Sequence, residues 1–534
     1  MRPRCDFGLR FFAEEDGNIT IFSVFMTVLI LAITGASVDL MRYEATRARM
    51  QATMDRAVLA AADLDQEQDP VAVVNDYMTK AGLLDVLAQV EVDQGLNYRT
   101  VSADGAADMD TIFLHMSGFD QLTAPARSVA EEKISNVEIS LVLDVSGSMQ
   151  GSRISKMRDA AQEFVDTVIV PDGDTAGLTT VSVIPYNATV NLGTTAGPYW
   201  RLSDTHGYSN CAIFPDASFD QTAVSPETEL ERLGHFDLSS TNETTSEIPN
   251  PWCRTGNESA VVVHSADAAA LSAHIATFEA GGNTAIDLGV KWGAALLDPA
   301  AQPVVAAMSA DGHVIPDAAT RPAAFEDPEA IKFIVVMTDG ANTTEYDLKP
   351  RYKTGLSDIW IDDRGTADPG DDRFSLRVVD NPGSQNDRWF WHRYENSGWS
   401  YRYRSRPDGG GDARRMSHAE LFARFGTKAV ARKMYTQPYY DGYVSYDAYY
   451  DIYYAYRAIV NGDAADSRLS DICEAARDTG IVIFAVAFEA PQGGKDALLD
   501  CASSPSHYFD VEGVEITDTF HAIARQINAL RLIQ

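Results

Sequence analysis

One uncharged apolar run constrains this chain more than any other feature of its sequence. Residues 19–38 read ITIFSVFMTVLILAITGASV and contain no charged residue. A helix of this length rises about 30 Å, which matches the hydrocarbon core of a bilayer. The sequence therefore predicts a single transmembrane helix over residues 19–38. No second run of this kind occurs in the sequence.

A cleaved signal peptide is the alternative interpretation of this run, and two observations weigh against it. Signal peptides have a shorter apolar core and a basic residue cluster before it. This run is longer, and acidic residues stand directly before it. Small residues suited to a cleavage site are nevertheless present within its last turn: Gly35, Ala36 and Ser37.

The orientation of the predicted helix is not decided by flanking arginines, since three precede the span and three follow it closely. The cysteines are more informative. Of the five cysteines, four lie on the C-terminal side of the span, at Cys211, Cys253, Cys473 and Cys501. An even number favours two disulfides in an oxidising compartment, with four buried thiols as the alternative. We therefore expect a cytoplasmic arm over residues 1–18 and an extracytoplasmic bulk.

Chain length indicates the number of domains, and net charge limits the kinds of partner. A chain of 534 residues is long enough for two or three domains. Its formal net charge of -34 argues against a nucleic-acid partner, because phosphate groups would be repelled. The same charge suits a solvated surface or a protein that binds cations.

The segment after the apolar run carries a recognisable pattern. Residues 39–63 read DLMRYEATRARMQATMDRAVLAAAD, with apolar residues at helical spacing and arginines between them. Together with DGNITIF at its start, the N-terminal region resembles TadE/TadG-like proteins of Flp (tight-adherence) pilus assembly. The resemblance covers about the first 60 residues. It implies a membrane-anchored component of bacterial pilus assembly.

Residues 39–135 are expected to form the juxtamembrane helix and a small antiparallel sheet. The stretches VEVDQ, YRTVSAD and TIFLHM are interpreted as strands. Pro125 and the charged AEEK that follows are interpreted as a connector to the next domain.

From residue 136 to 534, strand patterns alternate with helical patterns. Continuous apolar runs such as ISLVLD, TTVSVIPY, KFIVVMT and IVIFAVAFE predict buried strands. The fold class is therefore α/β, with a doubly wound parallel sheet covered by helices on both faces. Three regions break the alternation and are interpreted as insertions, at about 195–262, 300–329 and 342–466. Cys211 and Cys253 would pin the first insertion, and one bridge would join Cys473 to Cys501.

Five oxygen-bearing residues are predicted to meet at one edge of this sheet. Asp144 ends the first strand and opens the loop D-V-S-G-S with Ser146 and Ser148, and Asp339 follows the strand KFIVVMT. Thr284 stands in G-G-N-T before a helix. Ligands of such sheets bind beyond the carboxyl ends of the strands. Carboxylate and hydroxyl oxygens suit Mg²⁺, Mn²⁺ or Ca²⁺, and Mg²⁺ is the favoured ion.

This set resembles the von Willebrand factor A-type domain, whose adhesion-type metal site (MIDAS) combines D-x-S-x-S with a later Thr and a later Asp. The resemblance covers residues 136–534 apart from the insertions. It implies that Ser146 and Ser148 contact the ion directly, that Thr284 does so directly or through water, and that the two acids frequently act through water. The alternative is a domain that retains the fold while Ser146 and Ser148 only cap the next helix. Thr284 lies unusually far from Asp144, because the cysteine-bearing insertion intervenes.

Two further groups of residues are weaker candidates. One is an acidic cluster in the third insertion, interpreted as a solvated loop, with a second Ca²⁺ site as the alternative: Asp358, Asp362, Asp363, Asp368, Asp371 and Asp372. The other is the run of tyrosines from Tyr435 to Tyr456, interpreted as core of the insertion, with a binding surface as the alternative.

The combined expectation is a single-pass protein of the bacterial inner membrane that docks an acidic residue of a protein partner through a divalent ion. No motif for catalysis occurs, so no enzyme activity is expected. One alternative is an A-type-domain subunit that assists a metal-insertion or ATP-dependent complex. Another is a structural periplasmic strut in which the ion serves stability.

Overall fold

The computed structural model describes residues 16–531, apart from residues 65, 67, 95–97, 134–135, 170–176 and 380–386. The chain divides into two compact units, residues 1–134 and residues 135–534. The predicted cytoplasmic arm over residues 1–18 lies almost wholly outside the described residues.

The first unit consists of two helices and a three-stranded antiparallel sheet. Helix α1 runs over Asp16–Ala62 and α2 over Pro70–Ala81, and the strands are β1 (Leu87–Gln94), β2 (Tyr98–Asp110) and β3 (Gln121–Lys133). The sheet order is β1-β2-β3. Within the described part of the chain, one helix is long and apolar enough to cross a membrane, by length and composition.

The two halves of helix α1 differ in how far their apolar side chains are buried. Its apolar N-terminal half is exposed, whereas Met50, Met54 and Val58 in its second half are buried against α2 and the sheet. The predicted span and the predicted arginine-rich helix are thus one continuous helix. Most of the described apolar side chains of this first half are exposed within the unit, so their surface is left for another environment.

Two sequence predictions in this unit are wrong. The stretch TIFLHM is not a strand but a connection between β2 and β3 that contains the 3₁₀ turn Leu114–Ser117. Three of its backbone N–H groups donate to the carboxylate of Asp39, so they cannot pair with a strand of the sheet. Pro125 and AEEK are not a connector but part of β3, where Pro125 pairs with Ala106. Proline is tolerated there because β3 is an edge strand.

The second unit is built on a six-stranded sheet whose strands are β4 (Asn136–Asp144), β5 (Thr179–Tyr186), β6 (Val262–Ser265), β7 (Ala330–Thr338), β8 (Val482–Phe488) and β9 (Tyr508–Val511). Their order in the sheet is β6-β5-β4-β7-β8-β9, with β6 antiparallel to β5 and the others parallel. Counted along the chain, this is the order 3-2-1-4-5-6 of doubly wound folds. The predicted fold class is confirmed.

Helices cover both faces of this sheet, as predicted. One face carries α3 (Ser152–Val168), α4 (Ala268–Ala276) and α8 (Glu515–Arg531). The other carries α5 (Ile286–Ala295), α6 (Gly462–Asp478), α7 (Gln492–Cys501) and a helix over Gln302–Ala310. Most strand residues facing each helical layer are apolar and buried, and this burial holds the two layers to the sheet.

The first and third insertions share one hydrophobic cluster, in which Cys211, Phe236 and Trp252 pack with Leu348 and Phe390. The third insertion contains an antiparallel sheet with the order 403–404, 387–391, 373–379, 356–362, 414–417. It also contains the strand pair Glu345–Leu348 and Tyr456–Val460 and the helices Pro350–Lys353, Trp399–Arg402, His418–Arg424, Thr427–Val430, Thr436–Tyr440 and Tyr446–Tyr453. The first insertion has the short strands Ala212–Ile213 and Glu231–Arg232 and the turn of helix Gly193–Ala196.

The two disulfides form with the expected partners. Cys211 is bonded to Cys253 within the first insertion, and Cys473 in α6 is bonded to Cys501 at the end of α7. The first bond closes a long loop outside the sheet, and the second joins two helices on one face. Both restrict the unfolded chain and thereby stabilise the folded one.

A buried histidine beside β5 makes the second unit sensitive to acid. His264 has no exposed surface, its Nε2–H donates to the Leu296 carbonyl oxygen over 2.7 Å, and its Nδ1 accepts from the Thr180 hydroxyl over 3.0 Å. Burial lowers the pKa of His264 to about 4. Between pH 6.5 and 4 the unfolded chain therefore binds a proton that the folded chain excludes, and stability falls as the pH falls.

We expect this residue to remove up to about 3 kcal/mol of unfolding free energy between pH 6.5 and pH 4. The measurement is the pH dependence of thermal unfolding for the wild type and for His264→Asn. Asn does not titrate and tolerates the positive φ of 40° at this position. A variant that loses stability with acid as steeply as the wild type would contradict the assignment.

Candidate metal centre

The five predicted ligands lie at the carboxyl edge of the sheet. Asp144 is the last residue of β4, and Asp339 directly follows β7, its neighbour in the sheet. Ser146 and Ser148 lie in and beside the 3₁₀ turn Gly147–Met149, between β4 and α3. After β4 the chain continues to a helix on one face of the sheet, and after β7 it leads to a helix on the other face. A crevice therefore opens between the ends of these two strands. The parallel neighbours β4 and β7 thus place both carboxylates at one point.

The glycine pair before Thr284 lets its loop approach the loop after β4. Gly147 N donates to the Gly282 carbonyl oxygen, and Gly281 N donates to the Val145 carbonyl oxygen, each over 2.9 Å. Gly282 has a φ of 85° and lies so close to Asn187 that a Cβ would be 2.9 Å from its Nδ2. A larger residue there would be strained and would push the loop away.

Helix α5 then holds Thr284 in place. Its Gly289 and Gly293 lie against the sheet, where a Cβ would be 2.7 Å from the Tyr186 ring and 2.8 Å from Val142, respectively. The backbone of Thr284 is bound from the other side, because its N–H donates to Thr343 Oγ1 over 3.0 Å and its carbonyl oxygen accepts from Thr343 N over 2.9 Å. The threonine is therefore positioned by the chain that follows Asp339.

The side chains of this site form a continuous set of oxygens. Ser146 Oγ lies 2.9 Å from Ser148 Oγ, and the Ser148 hydroxyl donates to Asp339 Oδ1 over 2.5 Å. Gly340 lies beside the hydroxyls of Thr284 and Ser148, since a Cβ on it would be 3.3 Å from Thr284 Oγ1 and 3.5 Å from Ser148 Oγ. The three hydroxyls and Asp339 therefore lie close together, and this predicted donor set is made of hard oxygens only.

Asp144 lies behind this set and has no exposed surface. Its Oδ1 accepts from Ser146 N over 2.7 Å, and its Oδ2 accepts from the Thr338 hydroxyl over 2.6 Å. Burial raises the pKa of Asp144 to about 6, and the nearby charge of Asp339 adds to the effect. A cation bound between the two acids would favour their ionised forms.

The site opens to solvent on one side only. Asp144, Ser146, Thr284 and Asp339 are buried, whereas Ser148 is exposed. An ion bound here would have protein oxygens beneath it and an open face at Ser148. Among the described residues, no three His, Cys, Asp or Glu side chains come together. The predicted ligand set contains two carboxylates, Asp144 and Asp339, and three uncharged hydroxyls.

Two charged residues at the site were missed by the sequence interpretation. The Arg153 guanidinium donates to Asp339 Oδ2 over 2.9 Å and to Glu489 Oε2 over 2.8 Å. Arg153 offers no sequence signal beyond its place at the start of α3. Glu489 directly follows β8 and so stands at the same edge of the sheet, a position that the strand-end argument applied to Asp339 would have found.

The first insertion forms a wall beside the metal centre. A cavity of about 520 Å³ lies between the glycine loop, at Gly282 and Asn283, and insertion residues that include Asp237, Asn250 and Arg254. The insertion therefore flanks the site and leaves Ser148 uncovered.

The weaker candidates form no comparable centre. In the acidic cluster, Asp358 pairs with Arg415, Asp372 pairs with Arg424, and Asp371 accepts from the Thr366 hydroxyl. The tyrosines divide between two roles: Tyr435, Tyr443, Tyr449, Tyr453 and Tyr456 pack against the insertion core, whereas Tyr440, Tyr446 and Tyr454 are exposed. The interpretation as core is thus right for one part of the run only.

Comparison with known proteins concerns the two units separately. Residues 17–64 match the Tad family model, described as Flp pilus-assembly TadE/G-like. The N-terminal segment is TadE/G-like. The match covers α1 from the apolar span to its last turn, and with that span it fits a single-pass membrane anchor. A sequence comparison with curated proteins finds no match.

Solved structures similar to this chain include von Willebrand factor domains of pilus proteins. The vWF domain of the type V pili tip protein Mfa5 from Porphyromonas gingivalis is 15% identical at a TM-score of 0.31, over 74% of this chain and 96% of that one. The adhesive tip pilin GBS104 from Group B Streptococcus agalactiae is 13% identical at a TM-score of 0.31, and the match covers 73% of this chain and 100% of that one.

A third similar structure is the proximal thread matrix protein 1 of the mussel byssus, solved with a zinc-occupied MIDAS motif. It is 11% identical at a TM-score of 0.25, over 74% of this chain and 46% of that one, so this chain spans under half of its length. At these TM-scores, the fold class of the second unit rests on the strand order of this chain itself.

Proposed function

We propose that this chain is a membrane-anchored, metal-dependent protein-binding component of Flp (tight-adherence) pilus assembly or surface adhesion. In this proposal a divalent ion held by Asp144, Ser146, Ser148, Thr284 and Asp339 docks a carboxylate of a partner protein. The TadE/G-like segment supports the connection with pilus assembly. The proposal assigns no catalytic step to the chain.

The observation that carries the proposal is the one-sided exposure of the oxygen set. Four ligands are buried and Ser148 alone is exposed. An ion held from one side by these oxygens would keep a coordination position at its open face, and that is where a partner carboxylate would bind. The acidic chain, at a net charge of -34, would repel an acidic partner without such an ion.

Mg²⁺ is the favoured ion, with Mn²⁺ and Ca²⁺ as alternatives. Hydroxyl and carboxylate oxygens suit all three, and Mg²⁺ commonly binds through one or two carboxylates while retaining waters. Arg153 is close enough to Asp339 to compete with the ion for one carboxylate oxygen. Binding of the ion would therefore release or shift this guanidinium.

The proposed location is the bacterial inner membrane, with the N-terminus in the cytoplasm and the second unit outside it. The two disulfides support this topology, because such bonds persist in oxidising compartments. A subunit of a metal-insertion or ATP-dependent complex is the alternative, and it would place the second unit in the cytoplasm. A structural periplasmic strut is another.

Partner binding should depend on the ion. When the full chain is purified in detergent and immobilised, pilus-assembly proteins of the same cell should bind it in Mg²⁺ and dissociate in chelator. The control is Ser152→Ala, which alters an exposed hydroxyl one turn beyond the site. Equal retention with and without chelator would contradict the docking function. If chelation lowers only the melting temperature, the ion serves stability and the structural strut is favoured.

A further inference from the structure

The connection between β2 and β3 is unusually apolar for a turn at the end of a hairpin. Residues 111–120 read TIFLHMSGFD, with no lysine or arginine among them. The exposed fraction is 81% for Met116, 60% for Phe119, 50% for Ile112 and 41% for Phe113. Several large apolar side chains exposed on one turn mark a contact surface rather than ordinary solvent-facing chain.

This connection is bound to helix α1 at the point where the apolar span ends. The carboxylate of Asp39 accepts from the backbone N–H groups of Ile112, Phe113 and Leu114 over 2.9, 2.7 and 2.8 Å. Asp39 has no exposed surface. Three hydrogen bonds to one buried carboxylate hold the turn at a defined height on the helix.

The turn reaches back along the span itself. The Phe113 ring lies against Gly35, where a Cβ would be 2.5 Å from its Cγ. Gly35 belongs to the uncharged run 19–38 and lies four residues, or about 6 Å along the axis, before Asp39. If α1 crosses a bilayer through this run, Phe113 lies at the depth of its last turn.

Most backbone N–H groups of the turn are paired within the protein. Apolar surroundings tolerate such a segment only if its polar groups are paired within the protein. Besides the three N–H groups bound by Asp39, those of Met116, Gly118 and Phe119 donate to carbonyl oxygens of Phe113, His115 and Leu114. Thr111 donates from both its N–H and its hydroxyl to the far side of the turn.

We propose that the β2–β3 connection is a second membrane contact, which inserts Ile112, Phe113, Met116 and Phe119 among the phospholipid acyl chains just below the headgroups. It would lie in the leaflet from which α1 emerges. The contact is apolar rather than electrostatic, because the inserted residues include no cation. Arg42 lies one turn beyond Asp39 and contacts the Asp110 carbonyl oxygen over 3.4 Å, a position that suits the headgroup layer. This contact does not depend on the metal centre.

The test places an environment-sensitive label on the turn of the full chain. Met116→Cys and, separately, Phe119→Cys are made with Cys5→Ser and labelled with a nitrobenzoxadiazole dye. The chain is reconstituted in vesicles of phosphatidylethanolamine and phosphatidylglycerol. We expect a blue-shifted emission that is quenched by phospholipids carrying a nitroxide near the headgroup.

The matched control is Leu59→Cys, because Leu59 is 69% exposed on the same helix but lies about 36 Å beyond Gly35 along its axis. Its label should keep an aqueous emission and escape lipid quenching. Equal behaviour at positions 116 and 59 would overturn the proposal. A blue shift at 116 without lipid quenching would also overturn it and would indicate contact with another protein chain.

Discussion

Replacing Ser146 and Ser148 together by alanine is expected to weaken Mg²⁺ binding at least about 100-fold, because even residues that only orient metal ligands cost 10–100-fold when replaced. The two hydroxyls lie 2.9 Å apart, and Ser148 is bonded to Asp339 Oδ1. Without them, the ion would be left with two carboxylates and Thr284. The fold should persist, since both serines lie in the loop after β4 and outside the strands.

Isothermal titration calorimetry on the full chain in detergent measures this effect, with Mg²⁺ and Mn²⁺ titrated separately. Ser152→Ala is the matched control and should bind as the wild type does. Thermal unfolding in chelator should give the same melting temperature for the double variant and the wild type, which separates a lost ligand from a lost fold. An unchanged affinity in the double variant would remove these residues from the site.

Lys332→Met is expected to lower the free energy of unfolding by about 3–5 kcal/mol, because it leaves a buried carboxylate without its cation. Lys332 Nζ lies 2.9 Å from Glu138 Oε2, and both side chains are almost fully buried between β4 and β7. Lys332 also donates to the carbonyl oxygens of Leu297 and Ala323. Asp144 ends one of these strands and Asp339 follows the other, so the pair joins the two strands that position both acids.

Tryptophan fluorescence during thermal or chemical unfolding checks this prediction. All seven tryptophans lie beyond residue 135, so the signal reports on the second unit alone. The double variant Glu138→Gln/Lys332→Met should recover part of the lost stability, since no charge is then left unpaired. If the double variant is no more stable than Lys332→Met, the loss arises from packing and not from the buried charge.

Local sequence pattern was sufficient to predict the strands and the helix that position the candidate site. Strands β4, β5, β7 and β8 are continuous apolar runs, and such runs predict buried strands because both faces of a parallel sheet are covered. The buried face of α3 follows from its helical spacing. Since the two acids stand directly after strands, their edge of the sheet was predictable as well.

Local pattern failed where tertiary contacts override it. The stretch TIFLHM has the apolar composition of a strand, but Asp39 binds three of its N–H groups and makes it a turn. That partner lies more than 70 residues away along the chain. The charged end of β3 similarly lacks strand character, and its pairing with β2 decides its conformation.

The apolar span is determined by the sequence alone, because its length and lack of charge leave a helix as the only way to satisfy its backbone in lipid. The predicted oxygen ligands and the alternation of strands and helices likewise follow from local sequence patterns. Only the tertiary structure decided that Ser148 is the exposed member of the predicted ligand set, that Arg153 and Glu489 lie beside that set, and that the β2–β3 turn lies against the end of the span. These features join residues far apart in the chain, and their geometry depends on packing that no local pattern records.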